Sequence, residues 1–262
     1  MPEPLPPGGL VLDRDEVDAR WTDAWRPEQV AERLSGVSTP WCVAAGWALD
    51  LFRGEQSRLH DDLEIAVPSA GFPEIRTRFG EFAFDAVGSG RVWPDAGAEA
   101  LEATHQTWLR DPSNGHFLLD VFREPHMGDT WICRRDERIR LPYAEIIEHT
   151  ADGIPYLIPE LVLLFKAKAT RPKDQADFES VLPLLSRPRR DPLRGWLREC
   201  APGSLVAGGI GRLTETHDRR VGSARRFRCG PRGETPSSGV RPAGGACRWR
   251  RGGRAPGPVR SG

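Results

Sequence analysis

Two acidic residues begin a predicted β-strand in the segment Asp62-Leu63-Glu64-Ile65. Because side chains alternate between the two faces of a strand, the carboxylates of Asp62 and Glu64 should point the same way. Two like charges side by side repel each other, and a cation bound between them relieves the repulsion. Mg²⁺ prefers hard oxygen ligands and usually takes one or two carboxylates together with substrate phosphates. The pair therefore predicts a magnesium site for a phosphate-bearing substrate.

A third acid interrupts the apolar strand pattern Leu118-Leu119-Asp120-Val121-Phe122. A carboxylate in such a run is costly to bury unless it is paired with a cation or bound to a metal. If this strand lies beside the strand that carries Asp62 and Glu64, the three carboxylates meet at one point. We therefore predict Asp120 as a third catalytic residue and metal ligand.

A glycine separates an apolar strand pattern, Trp41–Ala45, from a short helix pattern, Trp47–Phe52. Glycine at a strand-to-helix turn lets phosphate groups approach the backbone N–H groups at the start of the helix. Gly46 and its neighbour Trp47 are therefore candidates for binding the phosphates of the substrate.

Lysine is rare in this sequence: of 37 basic residues, only Lys166, Lys168 and Lys173 are lysines. An arginine-rich chain that keeps lysine in one segment indicates a local need for a compact, mobile ammonium group. Lysine near the end of a helix, where its charge interacts with the helix dipole, explains the same pattern equally well.

Taken together, these residues resemble the DNA polymerase β-like nucleotidyltransferase superfamily, in which a turn of small residues precedes an acid-apolar-acid strand and a later strand carries a further acid. The blocks Gly46-Trp47-Ala48-Leu49-Asp50 and Arg58-Leu59-His60-Asp61-Asp62 are similar to those of the aminoglycoside 2″-adenylyltransferase and lincosamide nucleotidyltransferase branch. The resemblance covers roughly residues 28–187.

The resemblance implies transfer of a nucleoside monophosphate, AMP from ATP, onto a hydroxyl of a small acceptor such as an aminoglycoside or lincosamide antibiotic. It implies one or two Mg²⁺ ions, held by the three carboxylates. It also implies that the lysine-bearing segment covers the nucleotide, with Lys166 and Lys173 near the phosphates, and that Arg58 joins Gly46 and Trp47 in nucleotide binding.

Two residues depart from the pattern of this branch. Ala45 stands where the first of the small turn residues is usually glycine, and Glu64 stands where the branch usually has Asp. One additional methylene can shift the metal by about an ångström, and a misplacement of that size can lower a rate on the order of 10²-fold. The departures favour an alternative, a non-catalytic nucleotide-binding or antitoxin-like module on the same fold.

Other kinds of site match the sequence less well. His60-Asp61 is typical of HD-type metal hydrolases, but these need further His and Asp ligands on helices, and the sequence offers no such set. A Walker-type NTPase would need a Gly-x-x-x-x-Gly-Lys loop, which the sequence lacks. Trp93 and Trp108 fall at loop or strand-edge positions from which they could stack on an acceptor, although most tryptophans belong to cores.

The order of elements predicts an α/β (α+β) nucleotidyltransferase core, a mixed sheet flanked by helices, followed by a C-terminal helical region. We expect a flexible leader at 1–12, the core at 13–150, the helical region at 151–200 and an Arg-, Gly- and Pro-rich, disordered tail at 201–262. Helical spacing is expected from Pro155 onward, with Pro183 ending or kinking a helix and Trp196 on the last helix.

The formal net charge of zero hides an asymmetry along the chain. Residues 201–262 carry 13 arginines and 3 acidic residues, whereas residues 1–200 carry 24 basic and 34 acidic residues. An acidic body argues against general nucleic-acid binding, which needs a basic face, and an acidic cleft would suit a cationic acceptor. The tail either binds RNA or comes from a shifted reading frame, which resequencing the 3′ end of the gene would test.

Cysteine usage and hydropathy bear on the compartment. The five cysteines show no Cys-x-x-Cys spacing, and no run of about 18 apolar residues is present. These features predict a reduced, cytoplasmic protein that does not span a membrane.

Overall fold

The computed structural model describes residues 5–201. Apart from Ala201, the tail predicted for residues 201–262 lies outside the described residues. The helices are α1 (Arg14–Arg20), α2 (Pro27–Arg33), α3 (Ala45–Arg53), α4 (Phe72–Arg78), α5 (Ala98–Glu102), α6 (Tyr143–Ile146), α7 (Pro159–Lys166), α8 (Pro172–Val181) and α9 (Arg187–Cys200). The strands are β1 (Cys42–Val43), β2 (Glu64–Pro68), β3 (Ala83–Gly88), β4 (Arg91–Trp93), β5 (Gln106–Arg110), β6 (Phe117–Glu124), β7 (His126–Met127), β8 (Thr130–Ile132), β9 (Arg140–Pro142), β10 (Ile147–His149) and β11 (Pro155–Leu157).

Eight strands form one mixed sheet in the order β10-β11-β1-β2-β6-β5-β3-β4, and β7-β8-β9 form a second, antiparallel sheet. In the large sheet, β1 pairs with β11 and β2 with β6 in parallel, and the other neighbours are antiparallel. The mixed sheet with its surrounding helices confirms the predicted fold class. Within residues 5–201, no helix has the length and apolar character needed to cross a lipid bilayer.

One face of the central strands belongs to the hydrophobic core. Ile65 and Val67 of β2 and Val121 of β6 are fully buried on that face. Because side chains alternate along a strand, Glu64 and Asp120 belong to the opposite face. Packing of the core face fixes the positions of the strands, and the opposite face carries the polar side chains.

Proline and glycine lie at several helix boundaries. Helix α2 begins at Pro27, whose missing N–H has no partner to lose in the first turn of a helix, and Gly54, with a φ of 74°, follows the last residue of α3. Helix α8 ends at Val181, and Pro183 lies in the single 3₁₀ turn that follows. Trp196 lies on the last described helix, α9.

The expectation of helix from Pro155 onward is wrong for Pro155–Leu157, which form strand β11. This strand lies between β10 and β1, antiparallel to the first and parallel to the second. A three-residue apolar segment is too short for periodicity to separate a strand from the start of a helix. The large sheet therefore extends into the region expected to be helical.

Residues near the N-terminus contact the edge strand β4. Leu10 exchanges backbone hydrogen bonds of 2.8 and 2.9 Å with Val92, and the indole Nε1 of Trp93 donates to the carbonyl oxygens of Pro6 and Pro7. Gly9 lies so close to the Trp93 ring that a Cβ atom there would be 2.6 Å from it. Trp93 is consequently buried against the chain and is not a platform for stacking an acceptor.

Ala45, the first residue of α3, has a φ of 48°. This left-handed conformation costs a residue other than glycine about 1–2 kcal/mol. Ala45 is the position at which the resembled family usually has glycine, so the turn keeps a glycine-like backbone without the glycine.

We expect Ala45→Gly to raise the free energy of unfolding by about 0.5–1 kcal/mol, since the relief of strain exceeds the entropy that glycine adds to the unfolded chain. Urea denaturation followed by circular dichroism measures the change. The control is Ala48→Gly in the same helix, where the buried alanine should make the substitution destabilising by about 1 kcal/mol. A lower unfolding free energy for Ala45→Gly would contradict the assignment of strain.

Candidate active site

The structure brings the three predicted carboxylates together. Glu64 of β2 lies directly opposite Asp120 of the parallel neighbour β6, so their side chains share one face. Asp62 precedes Glu64 by two residues, and its carbonyl oxygen accepts a hydrogen bond of 3.1 Å from the indole of Trp47. Burial, followed by the negative charges of Asp62 and Asp120, raises the pKa of Glu64 well above its ordinary value. This mutual repulsion shows that the three groups act on one another.

Asp120 is the most enclosed of the three carboxylates, with 2% of its surface exposed. Its Oδ2 accepts a hydrogen bond of 2.5 Å from the amide of Gln106, whereas its Oδ1 is buried without a hydrogen-bond partner in the described structure. Burial raises the pKa of this carboxyl to about 8. A buried oxygen without a partner is costly, and a cation or a hydroxyl group placed beside it would remove that cost.

The donor set fits Mg²⁺ that arrives with a substrate. Within residues 5–201, no group of three or more His, Cys, Asp or Glu side chains is arranged to hold a metal ion by itself. Mg²⁺ usually keeps water and substrate phosphates among its ligands and needs only one or two carboxylates from the protein. The repulsion among Asp62, Glu64 and Asp120 and the unpaired Oδ1 of Asp120 suit a cation held jointly by protein and nucleotide.

The turn before α3 is tied to the carboxylate strand. The backbone N–H of Ala44 donates to the carbonyl oxygen of Glu64 at 2.8 Å. A Cβ atom on Gly46 would lie 2.6 Å from both the Arg58 guanidinium and the His60 ring. Glycine is therefore required at position 46 for these two side chains to pack against the turn, in addition to the phosphate role that the sequence predicts.

His60 is held by a buried hydrogen-bond network. Its Nε2 lies 2.6 Å from Oδ2 of Asp50 in α3, and the hydroxyl of Ser57 donates to Oδ1 of the same carboxylate at 2.6 Å. The Trp47 ring packs over the imidazole with 4.6 Å between ring centroids. His60 thus orients a carboxylate from the helix, which gives no support to the HD-type hydrolase interpretation. Asp50 is the last residue of the Gly46–Asp50 motif, and the motif alone does not predict its contact with His60.

The lysine segment lies against the same site. Lys166 Nζ lies 3.1 Å from Asp174 Oδ1 and 2.9 Å from Asp177 Oδ2, so this lysine links the end of α7 to α8. Asp174 also accepts a hydrogen bond from the backbone N–H of Arg171 and caps α8, whereas Asp177 is buried rather than solvated. The positive charge of Lys173 opposes the rise in the pKa of Asp62, which burial causes.

A cavity of about 560 Å³ joins these groups. The predicted site residues that line it are Gly46, Arg58, Asp62, Glu64, Lys166 and Lys173. Trp47 lies behind His60, and Asp120 lies beside Glu64 in the sheet. Trp108 is opposite Asp120 on β5, but its ring packs on Trp21 and Phe117 and is not part of the cavity wall.

Sequence reasoning missed the far end of this cavity, where Glu124, Trp131, Arg134 and Tyr143 line the wall. Glu124 lies four residues after Asp120 on the same strand and is buried, but it stands between Arg123 and Pro125 and not within an apolar run. Trp131 comes from β8, Arg134 from the turn between β8 and β9, and Tyr143 from α6, and no local pattern assigns them to the site.

A mixed sheet with carboxylates on two adjacent strands, beside a helix whose second residue is Gly46, is the arrangement that the sequence predicts for a nucleotidyltransferase. Residues 28–93 match the model of the aminoglycoside-2''-adenylyltransferase family. This match confirms the resemblance and covers Gly46, Asp62 and Glu64, but it ends before Asp120.

Solved structures similar to this chain include the lincosamide antibiotic adenylyltransferase LnuA with lincomycin bound, at 13% identity and a TM-score of 0.45, covering 63% of this chain and 100% of that one. The antibiotic-resistance factor ANT(2'')-Ia is 14% identical, with a TM-score of 0.44, covering 73% of this chain and 95% of that one. An antigenic nucleotidyltransferase-like protein from Paracoccidioides brasiliensis is 14% identical, with a TM-score of 0.39, covering 81% and 93%. A comparison with curated protein sequences gives no match.

We expect Asp120→Asn to stabilise the metal-free protein at high pH. Because burial raises the pKa of Asp120 from 3.8 to about 8, the folded protein binds a proton that the unfolded chain has already lost, and stability falls as the pH rises through that interval. The amide cannot ionise and escapes this loss, so the variant should unfold with a free energy higher by on the order of 2 kcal/mol at pH 9.

Urea denaturation in the presence of a chelator, at pH 5 and pH 9, measures the difference between the two proteins. It should be small at pH 5, where the buried carboxyl is protonated. Asp61→Asn, at an exposed neighbouring position, controls for the loss of one negative charge. An equal difference at both pH values would contradict the burial of an ionisable group at position 120.

Proposed function

We propose that this protein is a Mg²⁺-dependent nucleotidyltransferase that moves AMP from ATP onto a hydroxyl group of a small acceptor of the antibiotic type. The observation that carries the proposal is the convergence of Asp62, Glu64 and Asp120 beside the turn that begins α3. The family match over residues 28–93 supports the same reaction. ATP is available in the cytoplasm, where we place the enzyme.

Asp62 and Glu64 would hold the metal, which when bound neutralises charge on the triphosphate and on the leaving pyrophosphate. Arg58, Lys166 and Lys173 line the same cavity and would neutralise the remaining phosphate charge. Positioning and electrostatic stabilisation supply most of the acceleration in phosphoryl transfer, and these residues provide both.

Asp120 would act on the acceptor. The bond between the acceptor oxygen and the α-phosphorus forms while the bond from that phosphorus to pyrophosphate breaks, and the acceptor loses its proton. The unpaired Oδ1 of Asp120 either accepts this proton or joins the metal nearest the acceptor. A carboxyl whose pKa burial raises to about 8 is a stronger base than an ordinary aspartate.

The alternatives predict different behaviour. A non-catalytic nucleotide-binding or antitoxin-like module would bind ATP without releasing pyrophosphate, and no family match favours it. RNA binding through the tail would be lost on deletion of residues 201–262, whereas a transferase that depends on the described cavity would keep its activity. A thermal-shift screen with Mg²⁺, each NTP and a panel of antibiotics identifies the nucleotide.

We expect Asp62→Asn and Asp120→Asn each to lower the rate of pyrophosphate release by about 10³-fold or more. The first removes a proposed metal ligand, and the second removes the group proposed to accept the acceptor proton or to join the metal nearest the acceptor. The assay uses purified protein, Mg²⁺, labelled ATP and a panel of hydroxylated acceptors. Circular dichroism should show that both variants fold.

The matched control is Asp61→Asn, which removes an exposed charge beside Asp62 and should keep most of the activity. Three variants with similar rates would show that the site does not depend on these carboxylates. A wild-type protein that releases no pyrophosphate with any acceptor would count against the transferase itself.

A further inference from the structure

The cavity continues beyond the metal-binding carboxylates along β2 and β6. Ala66 of β2 lies opposite Phe122 of β6, two residues past Glu64 and Asp120 on the same face. We use the name inner chamber for this far end, whose polar and aromatic wall consists of Phe122, Glu124, Trp131, Arg134, Tyr143 and Phe165.

The acid of the inner chamber already has partners. Glu124 is 3% exposed, and its Oε2 accepts a hydrogen bond of 3.1 Å from the Trp131 indole. Its Oε1 lies 3.2 Å from the Arg134 guanidinium, which stacks between Phe122 and Phe165 at 4.9 and 5.1 Å from their ring centroids. The chamber therefore offers a ligand an aromatic surface and an acid whose charge is already balanced by an arginine.

The other acids of the cavity wall are also committed. Asp174 pairs with Lys166 and Arg171, and the proposed reaction uses Asp62 and Glu64 for the metal. The described wall also carries six basic side chains, namely Arg58, Arg134, Arg135, Lys166, Arg171 and Lys173. In this part of the chain, no carboxylate of the cavity is left to pair with an ammonium group of a ligand.

Two buried polar atoms of the inner chamber, the hydroxyl of Tyr143 and Nε of Arg134, make no hydrogen bond in the described structure. Arg134 contacts Glu124 through another nitrogen of its guanidinium group, whereas the Tyr143 side chain, which is 9% exposed, has no other polar group. A buried hydroxyl without a partner is costly, and a hydroxyl or carbonyl group of a ligand would satisfy it.

We propose that the inner chamber binds an uncharged ring of the acceptor, with one polar group of that ring bonded to Tyr143. The acceptor is accordingly a neutral hydroxylated compound and not a polyamine. The ring gains contact with the aromatic wall, whereas an ammonium group would lose its water beside Arg134 without a counter-charge. This inference rests on the proposed transferase function.

The position of the chamber assigns it to the acceptor and not to the nucleotide. On the β1–β2 ladder, Ala44 of the phosphate turn bonds to Glu64, and Cys42, at the opposite end from the turn, pairs with Ala66. The turn thus begins level with Glu64, and the chamber lies two residues further along the ladder, on the side away from the turn. In-line displacement puts the attacking hydroxyl opposite the leaving pyrophosphate, which is the chamber side when the phosphates lie at the turn.

The first experiment compares acceptors on the full chain with Mg²⁺. Calorimetry in the presence of a non-hydrolysable ATP analogue measures binding of neutral ring compounds, chloramphenicol and phenyl β-galactoside, and of the polyamine tobramycin, and a parallel assay with ATP measures pyrophosphate release. We expect at least one neutral probe to bind on the order of tenfold more tightly than tobramycin. Tighter binding of tobramycin, or no binding of any neutral probe, would overturn the inference.

The second experiment uses the two tyrosines of the chain as a matched pair. Tyr143→Phe removes the unpartnered hydroxyl and should weaken binding of the neutral probe on the order of tenfold while leaving affinity for the ATP analogue unchanged. Tyr156→Phe removes a hydroxyl that bonds to Glu148 at 3.2 Å, outside the cavity wall, and should leave probe binding unchanged. Weaker binding of the ATP analogue to Tyr143→Phe would assign the chamber to the nucleotide and overturn the inference.

The third experiment tests the charge argument with two arginines that contact the same ring. Arg134→Met frees Glu124 from its cation and should raise tobramycin affinity on the order of tenfold. Arg135 also lines the cavity and stacks on Phe165, at 4.9 Å, but it donates to the carbonyl oxygen of Leu164, so Arg135→Met should raise tobramycin affinity by much less than tenfold. An equal gain of tobramycin affinity in both variants would show that only the overall charge of the cavity matters, and it would overturn the inference.

If Arg134→Met does not fold, the comparison of acceptors and the comparison of the two tyrosine variants still test the inference. Failure of the transferase function is distinguishable from failure of this inference. A wild-type protein that binds no ATP analogue and releases no pyrophosphate with any acceptor removes both. Pyrophosphate release driven by tobramycin and not by the neutral probes leaves the transferase intact and removes the inference alone.

Discussion

The parallel pairing of β2 with β6 places Glu64 directly opposite Asp120, and the candidate site depends on that register. A slip of one residue would turn every side chain of one strand to the other face, which would carry Asp120 into the core and a leucine or valine into the site. Ile65 and Val121, both fully buried on the core face, oppose such a slip. Burial of the hydrophobic face of the sheet thus holds the carboxylates of Glu64 and Asp120 side by side, although their negative charges repel each other.

Other acidic side chains around the site have hydrogen-bond or ion-pair partners. Asp50 is bonded to His60 and Ser57, and Asp174 is paired with Lys166 and Arg171. Buried carboxylates that serve the fold have partners nearby, as the cost of burying a charge requires. Oδ1 of Asp120, by contrast, makes no hydrogen bond in the described structure, and the proposed reaction assigns a role to that oxygen.

Much of this arrangement could be predicted because its signals are local. Alternation within a strand shows that Asp62 and Glu64 share a face, and an acid within an apolar run draws attention to Asp120. Glu124 follows Arg123 and precedes Pro125, so it gives no such signal and does not predict the inner chamber. The Asp50–His60 contact and the approach of Tyr143 depend on how distant segments fold together, and no spacing in the sequence specifies them. The left-handed backbone of Ala45 also has no local signal, since alanine is a poor choice for it.

The net charge of the body was a poor guide to the charge of its cavity. Residues 1–200 carry ten more acidic than basic residues, which suggested a cleft suited to a cation, yet the described cavity wall has six basic side chains and four acidic ones. Electrostatic attraction at contact distance depends on individual partners, and a carboxylate already bonded to arginine and indole offers little to a further cation. Composition describes the long-range field that a ligand meets on approach, whereas the choice among acceptors depends on which groups inside the cavity remain without partners.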